Sequence, residues 1–277
     1  MSRFLPDDLF VGVEKGKLTF VRRRRGFRPS FVVASTIALP NDFWEKPDVD
    51  LIGRTLSGDV WSNTRASIVI ADKLVRYFLV ERPQGARNAR EIELAAALRF
   101  EELYGEDARR WEIEIDLPPW ASNYLACGIR DTHLALLSQV FAALHVPIKH
   151  ISPFGIEQWN RHGRSLRTPN MCFLAVSSDT AWLALRRDRR WLSAYVHGLH
   201  DDRTKELPEL IHRELTRHGL QEQWNNHAIC IAGAIDKEAA GALSSARILS
   251  HPTWPDSDHL HADSHLLALS SVWPICK

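Results

Sequence analysis

Three stretches of this chain bring together residue types that could do chemistry. Arg22 to Arg25 set four guanidiniums side by side, enough positive potential to hold nucleic-acid phosphates or an acidic lipid surface. His251, His259, His261 and His265, with Asp256, Asp258 and Asp263, offer the imidazole and carboxylate groups that zinc takes as ligands. Arg99, Glu101 and Glu102 could form an acid–base cluster. A plainer reading stands beside each. The basic run fits a solvated hairpin turn, because 35 Lys and Arg against 34 Asp and Glu leave no global field to recruit nucleic acid. The histidines lie in a Pro-containing loop without rigid spacing, so no metal is expected. The third cluster reads as the wet face of a helix, and no Ser, His, Asp set is recognisable as a catalytic triad.

The elements that must position these residues come from a chain of 277 residues with 45% hydrophobic content, enough for one large domain or two ordinary ones. Cys127, Cys172, Cys230 and Cys276 lie far apart with no CxxC pair, and three of them sit inside apolar strand-like runs, so reduced buried thiols are expected. No apolar run approaches the roughly 20 residues of a membrane helix. The opening Met1 to Asp8 lacks a signal peptide's apolar stretch, which predicts a soluble cytoplasmic protein.

The pattern is organised around a hairpin, Phe173 to Val196, whose apolar arms flank the turn Arg187, Asp188, Arg189. A similar plan opens the chain. Leu9 to Val13 lead into the corner Glu14 to Lys17, Leu18 to Val21 leave it, a basic turn follows, and Phe31 to Val33 return. Two copies of strand, polar corner, strand, turn, strand predict an internally duplicated fold. Between them the periodicity gives strands at Ala66–Ile70 and Leu74–Val80, and a helix carrying Ile92, Ala96, Phe100 and Leu103 that ends at Gly105. Next come a half-buried strand at Trp111–Leu117, a strand at Tyr124–Ile129, and a helix capped by Asp131 with Leu134, Leu137, Phe141 and Leu144 on one face. Pro153 begins a helix carrying Ile156 and Trp159, and the polar Gly163 to Pro169 forms a linker between halves. After the hairpin, Pro208 opens a helix that Gly219 ends. A strand at Ala228–Ala232, a small helix with Ala239, Ala240 and Leu243, a strand at Arg247–Ser250, and a final helix through Trp273 complete the chain. Strands followed by helices, twice over, predict a two-lobed α/β protein.

The runs Ser67 to Val80 and Arg99 to Gly105, with Pro153 to Asn160, resemble the actin-like ATPase superfamily. The likeness is to its PilM and GspL cytoplasmic-domain members, from type IV pilus and type II secretion machines. The resemblance implies a duplicated, ribonuclease H-like two-lobed fold with a reduced second lobe. On it, 1–163 form the first lobe with a subdomain inserted at about 84–130, 164–262 form the second, and 263–277 are a C-terminal helix packing back on the first.

In actin-like proteins two hairpin corners grip ATP phosphates, typically with an Asp, a Gly one residue on, and hydroxyl or Lys residues. Glycine lets amides approach the phosphates, and the carboxylate holds Mg²⁺ or orients water. Carried onto this sequence, the first corner keeps Glu14 and Gly16 but resumes its strand at Leu18. Aligning the hairpins puts Ala175 in the acid's place and Ser177 in the glycine's, with Ser178 beside it. On the adenine side, Ala232-Gly233-Ala234 keeps one of two glycines. The resemblance therefore implies vestigial corners at Glu14, Gly16, Ser177, Ser178 and Gly233, no cofactor and no catalysis. Val196 to Gly219 is also too short for the extra subdomain that covers the nucleotide in PilM-like proteins. The alternative is an ATP-binding or ATP-hydrolysing switch that uses Glu14 with Asp179 as a displaced acid; a small-molecule kinase of the same superfold lacks a recognisable catalytic acid here.

The resemblance further implies a cytoplasmic assembly platform, peripheral to a bacterial inner membrane, that receives a short cytoplasmic peptide of a PilN-like membrane protein. An assembly ATPase and a second copy of the chain are further implied partners. The peptide's groove is expected near the inserted segment Gln84 to Asp116, with Tyr77, Phe78 and Trp111 as partner-binding residues, because an exposed sheet edge supplies backbone bonds and apolar pockets supply anchors. Trp120, beside Pro118 and Pro119, is an expected exposed contact.

Overall fold

A computed structural model describes residues 6–25, 30–40, 42–46, 48, 52–53, 61, 63–119, 121–162, 166, 168–200, 202–221, 228–235, 237–243 and 246–249. The histidine-rich stretch, the final helix, Trp120, Cys276 and much of the expected linker lie outside these residues. In chain order the elements are β1 (Asp7–Val13), β2 (Lys17–Arg24), β3 (Ser30–Ala38), β4 (Thr64–Ile70), β5 (Val75–Glu81), α1 (Ala89–Tyr104), β6 (Trp111–Ile115), β7 (Asn123–Arg130) and α2 (Asp131–Ala143). They continue with β8 (Ile148–Pro153), α3 (Phe154–His162), β9 (Met171–Val176), β10 (Thr180–Arg187), β11 (Arg190–Gly198), α4 (Arg203–Arg217), β12 (Ala228–Gly233), α5 (Lys237–Ala242) and β13 (Arg247–Leu249). By compactness one unit gathers 1–74 with 130–157, and the other 75–129 with 158–251.

The first unit holds a five-stranded sheet ordered β3-β2-β1-β4-β8, and the second holds one ordered β11-β10-β9-β12-β13. In both, three antiparallel strands are followed by two parallel ones: β1 runs against β2 and along β4, as β9 runs against β10 and along β12. The predicted duplication is therefore a repeated sheet. It extends to single bonds. Glu14 N–H donates to Lys17 O at 3.0 Å in one corner, and Ser177 N–H to Thr180 O at 2.8 Å in the other. Likewise Ala71 N–H reaches Val13 O at 2.8 Å, as Ala234 N–H reaches Val176 O at 2.8 Å.

All side chains of β9, from Met171 to Val176, are buried, which is why the sequence there is continuously apolar rather than alternating. One face of this sheet packs Leu174, Val176, Leu183 and Leu185 against Leu207, Leu210, Ile211 and Leu215 of α4. At the far end of the hairpin, Arg187 pairs with Arg190 across Asp188 and Arg189, which take φ of 51° and 65°. Two successive left-handed residues give the turn whose twist matches the flanking strands.

The second unit also contains a three-stranded sheet ordered β5-β7-β6. α1 covers one of its faces with Ile92, Ala96 and Phe100, which meet Phe78, Trp111 and Ala126. Asn88 caps this helix by accepting Glu91 N–H at 3.0 Å, and Gly105 at φ 64° ends it. Gly128 makes room beneath α1, where a Cβ would stand 3.3 Å from the Phe100 ring.

Four local expectations are corrected. Leu103 is exposed, because Tyr104 takes the core side, packs on Phe78 and Phe100, and donates its hydroxyl to Tyr77 O at 2.7 Å. Asp131 is the first residue of α2 rather than its cap, and binds Thr132 N–H. The buried face of α2 is Leu136, Leu137, Val140 and Phe141. α4 starts at Arg203 and takes Pro208 inside, since Leu207, Leu210, Ile211 and Leu215 bury enough apolar surface to hold the turn across it.

Gly233 fixes the end of β12. It has φ +104°, and a Cβ there would lie 2.0 Å from Val176 O. We expect Gly233→Ala to cost at least about 2 kcal/mol by denaturant unfolding, whereas Gly241→Ala, with open space around its Cβ, should be near neutral.

Candidate functional site

The first candidate site is the first-unit corner. Val13 ends β1, and Glu14, Lys15 and Gly16 carry the chain to β2. The Glu14 carboxylate pairs with Lys17 Nζ at 3.1 Å. The corner carbonyls are taken as well: Gly16 O accepts Leu39 N–H at 2.8 Å, and Lys15 O accepts the Trp44 indole N–H at 3.1 Å. Gly16 has open space where a Cβ would stand, so packing does not require glycine here.

The hydrogen-bond match of the second-unit corner shifts the sequence alignment by two residues. Ser177, not Ala175, stands in the place of Glu14, and Asp179 in the place of Gly16. The Ser177 hydroxyl is spent inside its own hairpin, 2.6 Å from Thr180 Oγ1 and 3.2 Å from Thr180 N, with both residues buried. Ser178 is exposed. Its carbonyl accepts the Arg203 guanidinium, which also donates to Ala234 O at 3.2 Å. One side chain from the start of α4 thus ties this corner to the turn after Gly233. No local pattern points to this tie, because the pairing depends on where α4 begins.

The basic run is not a free cationic patch. Arg22 binds Asp7 Oδ2 through Nε at 3.0 Å and Nη2 at 2.7 Å. Arg23 reaches Asp8 at 2.6 Å, and Arg25 binds the same carboxylate through Nε at 2.9 Å and again through Nη2. Arg24 is exposed. The hairpin register, with Asp8 opposite Arg23 and Leu9 opposite Arg22, creates these pairs. Burial raises the Asp8 pKa, but the hydrogen bonds from Arg25 and Arg23 overcome it and hold the carboxyl below its ordinary value. On α1, Arg99 pairs with Glu102 at 2.7 Å, and Glu101 accepts Ala108 N–H, so the third cluster is structural.

Of the expected partner-binding residues, Tyr77 is 4%, Phe78 3% and Trp111 8% exposed. Tyr77 packs on Trp182 with ring centroids 5.3 Å apart, and Phe78 on Phe100 at 5.7 Å. Trp111 packs on Phe100 at 5.1 Å and lines a groove. That groove, a cavity of about 550 Å³, runs between β6 and α1 and includes Glu93, Ala97, Trp111, Ile113 and Ile115. β6 has β7 on one side and, among the described residues, no strand on the other. Beyond the groove, α1 turns Leu94 and Leu98 outward, 60% and 69% exposed.

Asp72 lies in the short turn between β4 and β5. It is buried after β4 and accepts Gly155 N–H at 2.9 Å in the first turn of α3, a carboxylate at a helix N-terminus. An acid in a tight turn between apolar strands was the available signal.

Two sheets of the same order, each with a hairpin corner beside its central strand, define the actin-like ATPase fold. Solved structures similar to this chain bear that fold. One is a protein of actin-like ATPase fold and unknown function from Bacteroides thetaiotaomicron, with 10% identity, a TM-score of 0.55, and 98% of this chain and 99% of that one covered. Another is a PilM–PilN type IV pilus biogenesis complex, with 12% identity, a TM-score of 0.61, and 95% and 96% covered. A third is the cytoplasmic domain of EpsL, an inner membrane component of the type II secretion system of Vibrio cholerae, with 11% identity, a TM-score of 0.55, and 90% and 87% covered. No protein-family model and no curated sequence matches the chain.

The Asp8 cluster makes a pH prediction. A depressed carboxyl pKa contributes stability that is present above the ordinary value, about 3.9, and is lost as pH falls through the folded value. Asp8→Asn should cost about 3 kcal/mol at pH 7 and flatten the acid limb of stability measured by urea unfolding against pH.

Proposed function

We propose that this chain is a non-catalytic assembly platform of a type IV pilus or type II secretion-like machine. It is cytoplasmic and peripheral to a bacterial inner membrane, and it docks a short cytoplasmic segment of a PilN-like membrane protein. The observation that carries this reading is the state of the corners. The corner side chains have protein partners: Glu14 pairs with Lys17, the Ser177 hydroxyl bonds Thr180, and Arg203 reaches in from α4 to the carbonyls of Ser178 and Ala234. Asp179, the nearest acid, follows Ser178 in a corner closed by the Ser177–Thr180 bonds. Each missing charge-assisted contact would cost a nucleotide about 1.5–3 kcal/mol.

The groove beside β6 supports docking, since an open strand edge offers backbone donors and acceptors and α1 offers apolar lining. The solved PilM–PilN complex has the same fold. No helix among the described residues is long and apolar enough to cross a membrane, so in this reading membrane attachment comes through the partner.

Titration calorimetry of the folded protein with millimolar ATP and Mg²⁺ tests the reading. We expect no saturable heat, and the same result for Glu14→Ala. One-site saturation that Glu14→Ala abolishes would overturn the proposal in favour of a nucleotide switch.

A further inference from the structure

The β6 groove specifies more than an open edge. Trp111, Glu112, Ile113, Glu114 and Ile115 all line it. Consecutive residues of a strand point to opposite faces, so a cavity that meets five in a row runs along the strand's edge and not over one face. Asp116 N–H bonds Leu125 O on β7 at 3.0 Å. Alternation from that bond turns the N–H and C=O groups of Ile113 and Ile115 away from β7, toward the groove.

The two faces of this edge differ in chemistry. Trp111, Ile113 and Ile115 lie on the α1 side, with Ala97 across from them. Glu112 and Glu114 lie on the other side, both exposed and in no ion pair among the described residues. Glu93 adds a third carboxylate from α1, and the one guanidinium in the lining, Arg109, is held by Asp107 at 2.9 Å. The rim is acidic, and the face of β6 that meets α1 is apolar.

We propose that β6 accepts an added strand from a partner segment in which apolar and basic residues alternate. The apolar set continues the layer of Trp111, Ile113 and Ile115, and the Lys or Arg set lies beside Glu112 and Glu114, where opposite charges on neighbouring strands attract. This rests on the docking function proposed above and names the chemistry of its ligand. Cytoplasmic segments next to membrane helices carry an excess of Lys and Arg, so the pattern suits the membrane partner of that reading.

The test uses the full chain and fluorescein-labelled peptides of about nine residues, long enough to span β6, read by fluorescence anisotropy. The peptides are alternating valine–lysine, the same composition with valines and lysines in separate blocks, alternating valine–glutamate, and alternating valine–serine. We expect the alternating valine–lysine peptide to bind at least about tenfold more tightly than the other three. We also expect the double variant Glu112→Lys, Glu114→Lys, its fold checked by circular dichroism, to reverse the preference toward valine–glutamate. Equal binding of the blocked or serine peptide, or an unchanged preference in the double variant, would overturn the alternating basic ligand and leave docking at the groove in place. No binding of any of the four would remove the docking reading itself.

Discussion

A strand buried on both faces must hand its backbone polar groups to neighbours along its whole length, including the point where it ends. β9 is in that position. β10 and β12 pair with its two edges, and its last carbonyl, on Val176, accepts Ala234 N–H at 2.8 Å. Residue 233 passes so close to this carbonyl that only glycine fits. β1 meets the same requirement through Val13 O and Ala71 N–H, yet with Ile70 in the place of Gly233, so the bond is common to both sheets and the glycine is not. Gly233 therefore has a packing reason that stands apart from any nucleotide. The corners follow from the same demand. Each closes with an N–H to carbonyl bond between its first and fourth residues, and the side chains decide what remains exposed.

Those side chains explain why a shared fold need not carry a shared chemistry. A phosphate-binding corner depends on amides and a carboxylate left available to the ligand. Here Lys17 pairs with Glu14, Thr180 occupies the Ser177 hydroxyl, and Arg203 donates to the carbonyls of Ser178 and Ala234.

Much of the fold could be read from the residues, because burial on both faces writes continuous apolar runs such as Met171 to Val176 and turn chemistry marks their ends. The duplication was visible as repeated strand, corner, strand, and the sheet orders bear it out. What escaped was long-range pairing. The two-residue shift at the second corner needed the bond from Ser177 to Thr180, since apolar residues on both sides of Ala175 leave the register free to slide. The neutralised basic run needed the knowledge that Asp7 and Asp8 lie across the hairpin. The residues place a docking groove only near the inserted segment, because which strand is the edge depends on sheet order, which local sequence does not encode. That is also why Tyr77 and Phe78, apolar residues of β5, lie in the interior while the lining falls to β6 and α1.

An open edge is a hazard as well as a site, because unpaired N–H and C=O groups invite any extended chain, including another copy. Charged residues along the edge are the common protection. On β6 the protection is one-sided: Glu112 and Glu114 flank the apolar layer of Trp111, Ile113 and Ile115, and every unpaired charge they add is negative. A second copy of β6 laid alongside would place carboxylate near carboxylate, which disfavours self-pairing. The same two residues attract a strand of opposite charge. A single pair of glutamates can thus serve as guard against one kind of chain and as recognition for another, and guarding alone would have been served as well by lysine.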